Sequence, residues 1–431
     1  MSNPRDDQIL LRVGGQTWAK YGVPWRRLGF DPREREKPTH TRADATTCAT
    51  YIDPRGLVLK AAANVPRLEY VDLDGDGVRE TPGILLEGSR ANVVLQSQNF
   101  GATWTTPVGA PTRSAAETTL GSLALDLIGD DNAGATEYYA QSPTLTGDGT
   151  KSYSWFAKKG TSAESNVTLW DETIGAVRGR VIYSFDANGV LIAPTVPTGT
   201  LLRTQLIGSG VYRFEAQAPS VVAANDNQIW IVPATSGGVT ATGDLRIGGV
   251  QVENAVFPSS YIPTTTGAVT RAADSFTLPF GFGPQDLTVL ARVARPAWAD
   301  ASGALGVSPG VMDLGNNVGG TLRLYAIAPT RHWTSDITTS GSSVNSAMLA
   351  GALQTICAQY KDLTTGAKTQ NDVGAGFTGF VGGAATAFST FGSQTLRVGG
   401  VVGSPNELSG VLVDLIIARG LFTLAEMQAV S

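Results

Sequence analysis

The sequence predicts an all-β protein that contains two antiparallel sandwiches. Short apolar runs alternate with Gly, Pro, Asn and Asp along the chain, which is typical of short strands joined by turns. Glycine supplies 51 of the 431 residues, and only 16% of the residues are charged. This composition argues against coiled coils and helical bundles, which need many Lys, Glu and Leu residues and few glycines. A low share of charge also fits surfaces that pack against other subunits.

The first 40 residues differ from the rest of the chain in charge. They carry eight basic and five acidic residues, whereas the whole chain has a net charge of −5. Aromatic residues and arginine are enriched at the centres of protein interfaces, so we predict that residues 1–40 form an extended segment that docks onto a larger assembly. The alternative is a first strand pair that packs on the protein's own core. The candidate docking residues are Trp18, Tyr21, Trp25, Arg26 and Arg27.

Residues 41–96 are predicted to form an extended β segment with hairpins. Its apolar and β-branched runs are bounded by Gly, Pro, Asn and Asp, as expected of short strands. The strand candidates lie at 46–52, 57–62, 67–72, 84–87 and 92–96.

An Asp-rich loop at residues 72–80 interrupts this segment. Asp72, Asp74 and Asp76 stand at alternate positions before a glycine, which matches the first half of a calcium-binding loop. The second half is missing, because Gly83 stands where the bidentate glutamate is expected. The loop is therefore either a calcium site formed by the three aspartates or a hairpin turn built on Asp-Gly pairs.

Residues 97–270 are predicted to form a jelly-roll sandwich. In SYSWFAKKG (152–160), Tyr153, Trp155 and Ala157 share one face of a strand and Phe156 lies on the other. Trp155 and Trp230 are interpreted as core residues because both lie in alternating strands. The other strand candidates are 167–172, 180–186, 211–217, 227–233 and 245–253.

Residues 271–431 are predicted to form the second sandwich, followed by a short helix near Thr423. Trp298 and Trp333 lie in polar, loop-like sequence, where exposed aromatic rings are candidates for glycan binding. Burial against a neighbouring subunit explains these two residues equally well. The strand candidates are 287–295, 321–328, 354–360, 395–399 and 410–418.

A short sequence repeat separates the predicted modules. TRADA at 41–45 recurs as TRAAD at 270–274, ahead of each new section of the chain. The spacing is irregular, so the repeat does not indicate a solenoid. We interpret it as the mark of a module boundary near residue 270.

The chain is poorly equipped for catalysis, and we do not expect an enzyme. Its two histidines, His40 and His332, have no second His or Cys at metal-ligand spacing, and no G-x-S-x-G elbow occurs. Cys48 and Cys357 lie far apart and are interpreted as small buried residues.

Several partner classes are excluded by charge and hydropathy. The chain lacks the basic footprint of a nucleic-acid-binding protein, so no nucleic-acid partner is expected. It has no run of about 18 apolar residues, so no membrane insertion is expected. The polar start of the sequence lacks the apolar region of a signal peptide, which predicts synthesis in the cytoplasm without export.

Three stretches of the chain resemble known families. Residues 51–100 resemble a stretch found in tailed-bacteriophage virion proteins, with Arg67, Tyr70, the run ILLE at 84–87, Arg90, Asn92 and Phe100 at the matching positions. QVENAVFPSSYIPTTTGAVTRAAD, at 251–274, is similar to the close of the next module in such proteins. The stretch 396–427 resembles the last strands of concanavalin-A-like and laminin-G-type lectin folds.

The resemblance implies a bacteriophage virion protein made in the host cytoplasm. It implies a tail-fibre or receptor-binding component, commonly a homotrimer, which recognises glycans on the host surface and docks onto other virion proteins through residues 1–40. The first alternative is a capsid decoration, head fibre, neck or baseplate part without a receptor role. A more distant alternative is a polysaccharide depolymerase.

Overall fold

The structure is a computed structural model, and every helix or strand element in its described residues is a β-strand. The all-β fold class is therefore confirmed. Paired strands in the described sheets are antiparallel. The described residues are 9–12, 39–44, 48–71, 81–236, 239–282, 286–294, 310–315, 321–327, 332–337, 344–347, 353–361, 368–372, 392–398 and 410–419.

The strands are named in chain order. They are β1 (Ile9–Arg12), β2 (Thr39–Thr41), β3 (Ala49–Ile52), β4 (Val58–Ala61), β5 (Leu68–Val71), β6 (Thr81–Leu86), β7 (Arg90–Asn92), β8 (Thr112–Leu120), β9 (Leu123–Asp130), β10 (Tyr139–Gln141), β11 (Gly149–Lys158), β12 (Glu164–Asp171), β13 (Ala176–Phe185), β14 (Leu191–Thr198), β15 (Thr200–Gly208), β16 (Val211–Val221), β17 (Asn227–Ser236), β18 (Val239–Thr240), β19 (Gly243–Glu253), β20 (Val269–Arg271), β21 (Ser275–Phe282), β22 (Leu287–Ala294), β23 (Gly310–Gly315), β24 (Thr321–Ile327), β25 (His332–Ile337), β26 (Val344–Ala347), β27 (Leu353–Lys361), β28 (Lys368–Asp372), β29 (Gly392–Val398) and β30 (Gly410–Arg419).

The chain divides into two compact units, and neither is continuous in sequence. Unit 1 comprises Met1–Ala43, Ala63–Gly88 and Ala273–Ser431, and unit 2 comprises Asp44–Ala62 and Ser89–Ala272. The segment 41–96 therefore does not stand apart, because its strands are shared between the two units. The predicted boundary near residue 270 lies close to the point where the chain leaves unit 2.

Unit 2 is a sandwich of two antiparallel sheets. Sheet 2a has the strand order β10-β17-β12-β13-β14, and sheet 2b has the order β15-β16-β11-β19-β9-β8. Residues of both sheets, among them Trp155 of β11 and Leu169 of β12, form one buried core. Trp155 is 0% exposed and its ring stacks on Phe214, with ring centroids 5.0 Å apart. The prediction that Trp155 belongs to the core is confirmed.

A second core cluster in unit 2 contains the hairpin β3–β4. The strand alternation predicted for β11 places Phe156 opposite Trp155, and Phe156 packs in this cluster with Ile52, Val58 and Tyr261. Sheet 2b is therefore apolar on both faces around β11, which explains why that strand is buried almost throughout.

Unit 1 contains two further antiparallel sheets. Sheet 1a has the order β28-β27-β22-β30-β6-β5, with β1 also paired to β30, and sheet 1b has the order β2-β21-β29-β23-β24-β25-β26. In β1, Ile9 pairs with Ile417 of β30. Residues 9–12, at the start of the predicted docking segment, thus pair with a strand of the protein's own sheet 1a.

A buried ion cluster connects the three stretches of unit 1. Asp274 accepts hydrogen bonds from Arg42 at 3.2 Å and from Arg67, and it lies 3.2 Å from Nε2 of His40. Arg67 also donates to Glu87 at 2.7 Å. Arg42 belongs to the first copy of the repeat, TRADA, and Asp274 belongs to the second copy, TRAAD. The two copies are therefore joined by a hydrogen bond between residues 232 positions apart.

Cys48 and Cys357 are free and buried, as predicted from the sequence. In the part of the chain that the structure describes, no helix is long and apolar enough to span a membrane.

Candidate functional site

Most of the predicted site residues lie outside the described residues. Trp333 is an exception, because it lies in strand β25, where it pairs with Ala326 and Ser346. The prediction that Trp333 lies in a loop is wrong, since backbone pairing on both sides makes a strand of this polar sequence. The predicted site residues that lie outside the described residues are Trp18, Tyr21, Trp25, Arg26, Arg27, Asp72, Asp74, Asp76 and Trp298.

The outer face of sheet 2a carries a cluster of three half-buried aromatic rings, Tyr138, Trp170 and Trp230, which we call the aromatic cluster. The central ring is Trp230. It stacks on Trp170 with ring centroids 4.7 Å apart and an interplanar angle of 26°, and it contacts Tyr138 with centroids 4.6 Å apart. The three rings cover one another in part and leave the remainder of their surface open to solvent.

Strand alternation places these rings outside the core. In β17, Trp230 lies between Ile229 and Ile231, which are both 0% exposed and belong to the core between the sheets. In β12, Trp170 follows Leu169, which is likewise buried in that core. Because successive side chains point to opposite faces of a sheet, both tryptophans point outward. The prediction that Trp230 is a core residue is therefore wrong.

The same alternation brings the two tryptophans together. In the β12–β17 ladder, Trp230 stands opposite Thr168, and Trp170 stands opposite Gln228. The two indoles are thus diagonal neighbours on one face, within reach of each other across adjacent strands. Tyr138 precedes β10, which is the strand on the other side of β17.

Polar side chains fix the orientation of both indoles. The indole Nε1 of Trp170 donates to Glu172 Oε2 at 2.7 Å, and that of Trp230 donates to Gln228 Oε1 at 2.8 Å. Gln228 in turn donates to Asp226 Oδ2 at 3.2 Å. These bonds hold the rings in defined positions, so little conformational entropy remains to be lost when a ligand binds.

Asp171 anchors the end of β12 next to Trp170. It is 0% exposed and accepts hydrogen bonds from Arg178 at 2.7 Å and from Asn225 at 2.8 Å. Burial acts to raise the pKa of Asp171, but the hydrogen bonds from Asn225 and Arg178 outweigh it and leave the pKa below its usual value. The ionised carboxylate thereby ties β12, β13 and the loop before β17 together at the edge of the aromatic cluster.

The aromatic cluster combines apolar ring surface with polar groups of both kinds. Glu172 and Asp226 provide carboxylate acceptors at one end, and both residues are exposed. Arg180 of β13 donates to Thr168 at 3.0 Å on the side away from Trp230. Half-exposed aromatic rings flanked by oriented polar groups are a common arrangement at ligand-binding surfaces.

Among the described residues, no group of three or more His, Cys, Asp or Glu side chains could hold a metal ion. The calcium site predicted at residues 72–80 lies outside the described residues.

The described fold is an all-β protein whose sandwich in unit 2 carries a half-buried aromatic cluster on one sheet. No family model matches the chain, and no curated protein matches it. Among solved structures, the chain is similar to domains LG4-5 of the mouse laminin alpha1 chain. The two are 10% identical, with a TM-score of 0.25, and the match covers 74% of this chain and 94% of that one.

Proposed function

We propose that this chain is a bacteriophage virion component that attaches to glycans on the host surface, and that unit 2 makes the contact through its aromatic cluster. The virion role is supported by the sequence motifs around Arg67, Asn92 and residues 251–274. The docking of residues 1–40 onto other virion proteins and a homotrimeric state belong to the same proposal. It contains no catalytic step.

The aromatic cluster is the observation that carries the proposal. Pyranose rings have apolar C–H faces that pack on aromatic side chains, and their hydroxyl groups need donors and acceptors nearby. The cluster offers aromatic surface beside the carboxylates of Glu172 and Asp226 and the guanidinium of Arg180. An exposed apolar surface rimmed by polar residues also needs an explanation in a folded protein, and a binding role supplies it.

The proposal is tested by affinity electrophoresis of the full-length protein. Gels that contain neutral, anionic or amino-bearing soluble polysaccharides are compared with gels without polysaccharide. We expect at least one polysaccharide to retard the wild type. We expect Trp170→Ala combined with Trp230→Ala to weaken binding at least about tenfold, because aromatic residues at the centre of a binding site typically contribute about 2 kcal/mol or more.

The matched control is Leu206→Ala, which removes an apolar side chain that is 54% exposed on sheet 2b. It should leave the retardation unchanged. Normal binding by a folded Trp170→Ala/Trp230→Ala protein would show that the cluster is not the site. If no polysaccharide retards the wild type, glycan attachment is wrong, and the purely structural role in the capsid, neck or baseplate takes its place.

A further inference from the structure

Two exposed carboxylates lie at one end of the aromatic cluster. Glu172 and Asp226 are backbone neighbours there, since the amide of Glu172 donates to the carbonyl oxygen of Asp226 at 2.8 Å. Both residues are exposed. The carboxylate of Glu172 also acts on the third ring of the cluster: burial raises the pKa of Tyr138, and the charge of Glu172 raises it further.

The basic residues of the adjoining strands do not neutralise these two carboxylates. Arg178 pairs with Asp171, and Arg180 bonds to Thr168. Among the residues that the structure describes, neither Glu172 nor Asp226 has a basic group within ion-pair distance. The end of the cluster therefore keeps two negative charges that a ligand can meet.

The hydrogen-bond donors of the two indoles are already engaged. Trp170 donates to Glu172 and Trp230 donates to Gln228. What this end of the cluster offers a ligand is the electron-rich faces of the rings together with carboxylate oxygens. An aromatic face attracts cations, and a carboxylate attracts them as well, whereas both disfavour an anionic group.

We infer that the aromatic cluster recognises a glycan that bears a protonated amino group, such as a sugar with a free amine, in preference to neutral or acidic glycans. This inference rests on the glycan-binding function proposed above and names the ligand class of the same site. The pyranose packs against the rings, and the ammonium group lies between Glu172 and Asp226.

The test compares two probes of equal length by titration calorimetry with the full-length protein. One probe is an oligosaccharide of β-linked glucosamine, and the other is its fully N-acetylated counterpart. The measurements are made in low salt at a pH where the amine is protonated. We expect the amine probe to bind about tenfold more tightly, which is the combined effect of a cation–π contact and exposed ion pairs. This preference should shrink as salt is added.

Variants separate the contribution of the two carboxylates to the binding preference from the contribution of the aromatic rings. Glu172→Gln combined with Asp226→Asn keeps the hydrogen-bond acceptors for Trp170 and Gln228 but removes both charges, so the preference for the amine probe should fall to the smaller part that the cation–π contact contributes. Glu117→Gln is the matched control, because it removes an exposed carboxylate of β8 in sheet 2b and should leave the preference unchanged.

Each outcome decides the inference. Equal or tighter binding of the N-acetylated probe by the wild type overturns it but leaves glycan binding standing. An undiminished preference for the amine in the Glu172→Gln/Asp226→Asn protein also overturns it, since the selectivity then does not arise from these two carboxylates. If neither probe binds, the inference is wrong, and the polysaccharide gels decide separately whether the proposed function survives.

Discussion

Arg67 and Asp274 form an ion pair between residues 207 positions apart in the sequence, and both side chains are 0% exposed. Burial acts to lower the pKa of Arg67, but the charges of Asp274 and Glu87 outweigh it and the pKa is raised. A backbone hydrogen bond joins the same two stretches, because the amide of Asp274 donates to the carbonyl oxygen of Glu87 at 2.9 Å. Stretches of unit 1 that are separated by the long segment Ser89–Ala272 of unit 2 thus meet at one buried charge cluster.

Replacing Arg67 by methionine should therefore destabilise unit 1 strongly. The change leaves Glu87 and Asp274 with less compensation in a buried position, and breaking such a pair costs about 3–5 kcal/mol. Urea denaturation of the full-length protein measures the loss. Arg55→Met is the control, because the side chain of Arg55 is 74% exposed in its pair with Asp53 and the change should cost at most about 1 kcal/mol. Similar losses for the two variants would contradict this account of the cluster.

Much of the strand pattern could be predicted from the sequence, because apolar side chains mark the buried faces. The run at 152–160 alternates clearly and lies in β11, and the run at 227–233 lies in β17. β9 is apolar and largely buried, although it is absent from the strand candidates. Two other unpredicted strands carry a weaker signal. β8 is exposed over most of its length at the edge of sheet 2b. β14, at the edge of sheet 2a, contains two prolines, which edge strands tolerate.

Two tryptophans of similar sequence context should differ in their contribution to stability. Trp155→Ala empties the centre of the core in unit 2 and should cost about 3–5 kcal/mol. Trp230→Ala removes a half-buried ring that packs mainly on Trp170 and Tyr138, so about 1–2 kcal/mol is expected. Chemical denaturation of both variants tests this difference, and a loss at Trp230 as large as that at Trp155 would mean that Trp230 is a core residue after all.

The candidate site was only partly predictable. Ile229 and Ile231 belong to the core, so strand alternation alone predicts that Trp230, which lies between them, faces away from it. The same reasoning applies to Trp170, which follows the core residue Leu169. What the sequence does not contain is the ladder register that sets the two indoles side by side. Register depends on pairing between strands that are distant in the chain. The contact between the two indoles therefore could not be predicted from the sequence alone.

Asp171 should make the stability of unit 2 depend on pH in the acidic range. Because its pKa is lowered in the folded state, its contribution is complete above the ordinary aspartate pKa and is lost as the pH falls through the lowered value. Asp171→Asn should therefore lose about 2 kcal/mol at neutral pH and differ less from the wild type in strong acid. Thermal unfolding between pH 7 and pH 2 gives the comparison, and a constant difference across this range would exclude the linkage.

Two glycines with positive φ should respond very differently to the addition of a methyl group. Gly56 has a φ of 78° in the turn between β3 and β4, and a Cβ there would lie 1.7 Å from the carbonyl oxygen of Ile207. Gly175 has a φ of 64° in the turn between β12 and β13, and a Cβ there would meet no atom within 4 Å. Both alanine variants must pay the conformational cost of about 1–2 kcal/mol, but only Gly56→Ala also collides with backbone.

We therefore expect Gly175→Ala to cost about 1 kcal/mol and Gly56→Ala about 3 kcal/mol or more. The collision cannot be relieved by a side-chain rotation, because the contacted atoms belong to the backbone of Ile207 and Gly208. The hairpin β3–β4 must then move away from Ile207 and Phe156, with which its residues Ile52 and Val58 share a core cluster. Urea denaturation measures both losses, and hydrogen exchange at the amides of β3 and β4 shows whether the hairpin has separated. Equal losses, with the hairpin still protected in Gly56→Ala, would show that the close approach at Ile207 does not hold in solution.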